Sequence, residues 1–410
     1  MSRTASAAPE PAALSGGTLL WLTAGLLMLQ PLATDLYLPA LPGIAAYFDV
    51  GVGTAQWTLS IFVATFGLWQ LVAGPLSDRY GRYPVILAGV AVYCGASVLA
   101  MLAPTIEVLI GARLLQAIGA CSCIVGARGM VRDLRTPAEG ARLLAAASTI
   151  MSFAPLAGPI VGAFLFEAFG WRATFAVLTL FALLLAATAV LRLKETNSRC
   201  NPRALELAPM LRSYAQVARS PAFRAYTLAS TATYAGLFAF ISGSSFVLIR
   251  VLGVSAPAFG ASFAIMVAGY LAGTVICRWL VARRGLQFTV CAGAAVQAAA
   301  GLAMALLVAA GVHVPATIVA PMFFYGAAHG MIQPPAQAGA MAPFPHSAGA
   351  ATALLGVVMM GVASLVGVWI GASFDGTLAP LAYTICAAAL ASALVAFTLV
   401  RRHGDVDAHG

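Results

Sequence analysis

Charge is scarce in this chain of 410 residues: Lys, Arg, Asp and Glu together make up 9% of it, against roughly 25% in soluble domains. With 61% hydrophobic residues and a mean hydropathy of +0.93, a water-soluble fold cannot hide the apolar surface. A disordered chain would need the opposite composition. A secreted disulfide scaffold is excluded as well: Cys94, Cys121, Cys123, Cys277, Cys291 and Cys386 lie inside apolar stretches and Cys200 in a basic loop, where thiols serve as small packing groups. Also missing are a D-x-x-x-D pair, a His cluster at metal-ligand spacing and a G-x-x-x-x-G-K loop. Those absences argue against an integral-membrane enzyme such as a lipid transferase, and against transport driven by ATP bound to this chain. No metal and no cofactor is expected. The net charge of +9 is spread over short loops rather than gathered into a stripe, so no nucleic-acid partner is expected either.

Long apolar runs are what the chain has in abundance. A helical crossing needs about 20 apolar residues to span a hydrocarbon core near 30 Å thick. Such runs occur at 17–38, 55–75, 84–104, 106–128, 141–166 and 171–193, then at 223–249, 258–281, 286–311, 314–337, 347–373 and 377–400. The short alternating strands of a membrane barrel are absent. The expected fold is all-α and integral to the bilayer, with twelve transmembrane helices in two pseudo-symmetric six-helix halves. Residues 1–16 form a cytoplasmic tail, 17–193 the first half, 194–222 a cytoplasmic linker, 223–400 the second half and 401–410 a second tail. Placing the N-terminus in the cytoplasm gathers Arg3, Arg79, Arg82, Arg128, Arg132, Arg199 and nearly all the other basic residues on that side, and leaves only Arg172 and Arg250 opposite. Both termini are therefore expected in the cytoplasm. The turn at Gly81 has a counterpart at Gly285, about half a chain later, consistent with parallel repeats and a substrate path between them.

Charges inside the spans are the sharpest functional signal, because each costs roughly 2.5–3.5 kcal/mol on insertion. Asp35, late in the first span, and Arg113, early in the fourth, lie at similar depth and are expected to face each other. They form either a structural ion pair or a proton site, in which Asp35 takes and releases the proton while Arg113 tunes it. Gln30, Thr34 and Gln116 add polar neighbours on the same helices, and Gln30 and Gln116 are also candidates to line a substrate path. His329, Gln333 and Gln337 in the tenth span, Tyr234 and Phe238 in the seventh and Met359 and Met360 in the eleventh are candidates to line a substrate path, with ordinary helix packing as the alternative.

Several strings resemble the major facilitator transporters. Gly74-Pro75-Leu76-Ser77-Asp78-Arg79-Tyr80-Gly81-Arg82 has the spacing of that family's G-x-L-S-D-R-x-G-R loop, with Tyr83 where a further basic residue is common. By resemblance Gly74, Asp78, Arg79, Gly81 and Arg82 form a latch on one access state. Arg113-Leu114-Leu115-Gln116-Ala117 resembles the fourth-span R-x-x-Q-G signature, and Gly158-Pro159 with Gly162 the fifth-span motif associated with antiporters. Small residues there permit close helix approach, and the proline bends the span. Thr34-Asp35-Leu36-Tyr37-Leu38-Pro39-Ala40-Leu41-Pro42 resembles the D-x-Y-L-P-x-L-P signature of the Bcr/CflA drug-resistance exporters, as do Phe344-Pro345-His346-Ser347-Ala348-Gly349 and Arg128-Gly129-Met130-Val131-Arg132-Asp133. The resemblance implies a proton-coupled antiporter of the cell inner membrane, functional as a monomer, exporting small-molecule drugs against protons, with Tyr37 among the substrate-lining residues. Leu26-Leu27-Met28-Leu29 stands where some relatives carry a second acid, which favours neutral or weakly polar drugs such as amphenicols or bicyclomycin. A transporter of a small metabolite is the alternative.

Overall fold

The structure, a computed structural model, describes residues 16–404 apart from Arg199 and His346. Arg3 with nearly all of the expected N-terminal tail, Arg199 of the linker, His346 of the eleventh-span motif and residues 405–410 lie outside the described residues. Every regular element among the described residues is helical.

Prolines, glycines and hydroxyl caps set the helix ends. The helix α1 (Gly16–Asp35) runs into a 3-10 turn at Leu38–Ala40 and the short α2 (Leu41–Tyr47). Pro39 and Pro42 occupy first-turn positions there, where a missing N–H costs nothing. Gly81, at φ +100°, alone separates α3 (Val52–Tyr80) from α4 (Arg82–Met101), a backbone shape that a side chain would oppose. Thr105 caps α5 (Ile106–Leu134), and a Thr136–Glu139 capping box starts α6 (Pro137–Met151), which continues past Ser152 as α7 (Phe153–Phe169). The first six crossings end with α8 (Arg172–Arg192), and α9 (Leu207–Arg219) belongs to the linker. Ser220 caps α10 (Pro221–Ser245), which extends through a π-helical turn at Phe246–Val251. The long α11 (Ala256–Ala309) is two crossings joined at Gly285, whose φ of +78° repeats the role of Gly81. Three crossings remain: α12 (Pro315–Met341), α13 (Ala348–Ser373) and α14 (Ala379–Val395), the last carried on by a π-helical turn into α15 (Arg401–His403).

Ten helical segments are long and apolar enough to cross a bilayer. Dividing α11 at Gly285 and adding α12, whose apolar run is diluted by His329, Gln333 and Gln337, gives twelve among the described residues. Each expected apolar run coincides with one crossing. Several helices outlast their run: α3 continues to Tyr80 and α5 to Leu134. Large apolar side chains such as Trp21, Leu68, Phe164, Leu191, Leu306 and Leu365 point outward, as they do toward lipid. Inside, missing side chains bring backbones together: Gly119 of α5 sits on Gly89 and Tyr93 of α4, and Gly326 and Gly330 of α12 sit on Met266 and Tyr270 of α11.

The halves meet where α3 packs on α13 and α7 on α11. Along α3 and α13 the contact runs from Gly53 against Gly371, through Ser60 against Gly367 and Gly67 against Met360, to Gln70 against Gly356. Ser364 donates to the Ser60 carbonyl at 2.9 Å, Gln56 Nε2 donates to the Ser242 carbonyl, and Arg250 donates to the Pro42 carbonyl at 2.8 Å. These bonds seal one face of the molecule. Past Gln70 the two helices diverge around a cavity of about 880 Å³, bounded by Gly74, Asp78, the end of α5, α9 and Ala348–Ala353. That cavity opens on the face where α1 begins and α14 ends.

Candidate functional site

Asp35 ends α1 and is buried, with 5% of its surface exposed. Its carboxylate Oδ1 lies 3.1 Å from Thr34 Oγ1, and Thr34 Oγ1 is also 2.9 Å from the Pro31 carbonyl. On its other side stands α7: a Cβ placed on Gly158 would come within 3.0 Å of the Asp35 Cβ, and one on Gly162 would collide with the Leu36 carbonyl. The fifth-span motif thus forms the wall behind the acid. Pro159 is buried beside it, and Ile160 lies against Gly260 of α11. The motif therefore touches Asp35 and the second half at once.

Arg113 is fully buried and partly paired. Its Nε donates to the Thr58 carbonyl at 3.2 Å and one terminal nitrogen donates to Gln116 Oε1 at 2.5 Å. The other terminal nitrogen has no hydrogen-bond partner among the described residues. The guanidinium lies over the rings of Phe62 and Tyr37, at 4.3 and 4.9 Å. Gln116 in turn donates to Ser97 at 2.8 Å, and the Tyr37 hydroxyl is bonded to Thr58 Oγ1 at 2.6 Å. Asp35 and Arg113 form no ion pair among the described residues. The reason is local backbone geometry. Because α1 stops at Asp35 and a 3-10 turn follows, the ring of Tyr37 covers the guanidinium, and the Asp35 Cβ and backbone lie against α7.

The second half carries its own polar network. Thr233 Oγ1 lies 3.0 Å from His329 Nδ1 and accepts from Gln297 Nε2 at 2.7 Å. Ser230 donates to Gln333 Oε1 at 2.9 Å, and Gln333 Nε2 reaches the Met359 sulfur at 3.2 Å. Tyr234 packs on Phe238 and on the His329 ring, both with centroids 6.2 Å apart. Of the side chains expected on the substrate path, Gln30, Gln337, Met359 and Met360 line the inner end of the cavity. Tyr37, Gln116, Tyr234, Phe238, His329 and Gln333 do not border it. Tyr37 and Gln116 are engaged by Arg113, and His329 and Gln333 by seventh-span hydroxyls.

The loop after α3 is tightly bonded. Arg82, only 4% exposed, forks between Asp78 Oδ1 at 2.7 Å and Asp133 Oδ2 at 2.8 Å, and also donates to Ser77 at 3.0 Å. Arg132 approaches Asp78 at 3.6 Å. Glu195, from the linker, accepts the backbone N–H groups of Arg82 and Tyr83 at 2.9 and 3.1 Å and so caps α4. Asn201 donates its backbone N–H to the Asp78 carbonyl at 2.9 Å. Gly74 lines the cavity. Arg79 is exposed, its guanidinium 5.3 Å from the Tyr80 ring. Among the described residues, the partners of Asp78 lie in the first half and the linker, not in α13 across the cavity. Sequence reasoning missed the roles of Asp133 and Glu195. It also missed Gln70 and Arg128 on the cavity wall, where a polar residue inside an apolar run was the available signal for Gln70.

Residues 23–368 match the family model described as Major Facilitator Superfamily. The chain is 28% identical over 383 residues to a bicyclomycin resistance protein homolog of Haemophilus influenzae, covering 93% of this chain and 96% of that one. It is 32% identical to a chloramphenicol resistance protein of Pseudomonas aeruginosa, over 82% of this chain and 80% of the relative. Among solved structures, a peptide transporter POT in complex with sulfate superposes with a TM-score of 0.77 at 11% identity, covering 97% of this chain and 96% of that one. At that identity the likeness concerns the fold alone.

Proposed function

The chain belongs to the Major Facilitator Superfamily, in its Bcr/CflA drug-resistance branch, and from that premise we propose that it is a proton-coupled exporter of small-molecule drugs, working by alternating access between the halves 17–193 and 223–400. It is a multi-pass membrane transporter and not an enzyme. We place it in the cell inner membrane as a monomer with both termini cytoplasmic, so the open cavity faces the cytoplasm and the sealed face the outside. Neutral or weakly polar drugs such as amphenicols or bicyclomycin are its substrates, a reading supported by the names of its relatives.

The observation that carries proton coupling is that Asp35 is the one buried carboxyl among the described residues. Thr34 has a single hydroxyl proton, and the Pro31 carbonyl at 2.9 Å is its nearest acceptor. Among the described residues Thr34 Oγ1 is the one side-chain donor to Asp35 Oδ1, at 3.1 Å, and its single proton is shared with that carbonyl, so an ionised Asp35 is poorly satisfied here. In the cycle, Asp35 is protonated from outside and retains the proton as the cavity turns to the cytoplasm. It loses the proton there as drug binds, and the charged acid with its cargo favours the return. Each ligand shifts access only through its different affinity for the two states. Arg113 holds the start of the fourth span to Tyr37 and Thr58, and its remaining donor is open to a partner in the other state. Gly158, Pro159 and Gly162 transmit movement of α11 to the acid. Asp78, Arg79, Gly81 and Arg82 form the latch, which in this state holds the first half and the linker but not α13. Moving one net charge inward yields about 2.3 kcal/mol per 100 mV.

The test is drug-induced proton release from energised inverted vesicles, comparing the wild type with Asp35→Asn at matched expression. Chloramphenicol, florfenicol and bicyclomycin are expected to dissipate the gradient through the wild type and not through the variant. Full coupled activity in Asp35→Asn would move the proton site elsewhere. Silence of the verified wild type toward every compound would favour a metabolite as cargo.

A further inference from the structure

The cavity narrows at its inner end to a chamber of about 170 Å³. Its wall is apolar on most sides, with Leu27, Phe66, Ile124, Leu355, Met359 and Met360. Four polar side chains break that wall: Gln30 from α1, Gln70 from α3, Arg128 from α5 and Gln337 from α12. None of the four makes a side-chain hydrogen bond or ion pair with the protein among the described residues. Arg113, Gln116, Gln297 and Gln333, away from the chamber, each have at least one side-chain partner. Gln30, Gln70 and Gln337 are half-buried and Arg128 is exposed to the cavity, so all four present open polar groups to whatever occupies it.

Arg128 is the decisive member. Gln70 and Arg128 border both the chamber and the larger cavity, so the guanidinium stands at the throat between them. No acid among the described residues lines the chamber. The acids that border the outer compartment, Asp78 and Glu206, are held by Arg82 and Arg132 and by Arg203. The throat therefore carries positive charge that no described protein group offsets. Arg128 lies within α5, six positions before its last residue Leu134.

We propose that Arg128, with Gln30, Gln70 and Gln337, is the specificity-determining subsite for an acceptor-rich or anionic end of the cargo, such as a nitro, sulfonyl or carboxylate group, while the cargo's apolar body fills the chamber. This deepens the export reading and rests on it for the word cargo. The guanidinium and the three amides supply donors without any compensating carboxylate. A permanently cationic ligand meets repulsion at the same point, which makes the site selective by exclusion as well as by attraction.

Binding to the purified full-length protein tests this by calorimetry with three probes: chloramphenicol, 4-nitrobenzoate and tetraphenylphosphonium. The wild type is expected to prefer the first two. Arg128→Met is expected to weaken both by about tenfold or more, the scale of a lost charge-assisted bond, and to leave or improve binding of the cation. Arg128→Lys restores part of the 4-nitrobenzoate affinity. Because Arg128 has no partner among the described residues, its removal orphans nothing, and an unchanged melting temperature is expected. Gln337→Leu, which is expected to weaken the same two probes less, serves if Arg128→Met fails to fold. Wild-type indifference to both acceptor-bearing probes overturns the proposal, as does a change under twofold in Arg128→Met or equal weakening of all three. Proton release separates the two readings. Flux with Arg128-independent binding removes the subsite and keeps export, whereas Arg128-dependent binding without flux keeps the subsite and removes export.

Discussion

At the scale of single residues, the arginines of the loop after α3 differ sharply in surroundings. Arg82 is buried between two carboxylates and a serine, and its planar fork matches both acids at once. Arg79, three residues earlier, faces solvent beside Tyr80. Removing Arg82 costs its charge-assisted bonds, about 1.5–3 kcal/mol, because Asp78 and Asp133 are partly exposed and Arg132 stays near Asp78. Arg82→Ala is therefore expected to lower the melting temperature of the purified protein strongly. Arg82→Lys should lower it less, since one ammonium cannot satisfy Asp78 and Asp133 together. Arg79→Ala should leave stability within about 0.5 kcal/mol, as exposed substitutions do; a large loss there would mean that this state already uses Arg79 as part of the latch. In the sequence string these residues look alike, since spacing records which chemistry recurs and not which side chain is buried. The same limit explains Asp35 and Arg113. Their burial follows from cost alone and is legible, but their separation depends on a 3-10 turn that apolar run lengths do not encode.

At the scale of helices, apolar run length predicts the crossings well and their inner ends poorly. A hydropathy run stops at the first charged residue, yet α5 continues from Arg128 to Leu134 because its flank borders an aqueous cavity rather than lipid. From sequence alone, Arg128 therefore resembles a loop residue setting orientation. The repeat is more accessible: Gly81 and Gly285 share a positive-φ backbone at corresponding turns. The Gly158-Pro159 string hints at close packing of α7, although not at which helix it touches. The contacts make the two glycines unequal. A methyl on Gly158 meets the Asp35 Cβ at 3.0 Å, which a few tenths of an ångström of movement relieves, whereas a methyl on Gly162 runs into the rigid Leu36 backbone. Gly162→Ala is expected to cost about 1–3 kcal/mol, the range for overpacking, measured by thermal melting. Gly158→Ala should melt nearly like the wild type while slowing drug-driven proton flux severalfold, because the displaced group is the proposed proton carrier. Equal melting temperatures for the two variants would contradict this geometry.

At the scale of the whole molecule, the access state is set by what holds the sealed face, and few polar bonds do so. Arg250, one of only two basic residues that the charge pattern leaves on that side, donates to the Pro42 carbonyl from the opposite half at 2.8 Å and lies 5.6 Å from the Phe246 ring. The Gln56–Ser242 and Ser364–Ser60 bonds lie deeper along the same seam. A hydrogen bond from a charged donor contributes about 1.5–3 kcal/mol, and this one exists only while the face is closed. Losing it shifts the open-to-closed ratio by about tenfold to a hundredfold. Spin labels on Gly51→Cys and Ala258→Cys, both exposed near the sealed face, report that ratio by double electron–electron resonance in a background freed of the native cysteines. The wild type is expected to give one short distance, and Arg250→Ala a second, longer one of substantial population. Arg250→Lys, which keeps the charge but not the reach of the guanidinium, should fall between them. An unchanged distance distribution in Arg250→Ala would assign closure to the glycine-lined contact of α3 with α13 instead, where Gly53 and Gly371 bring the two backbones together.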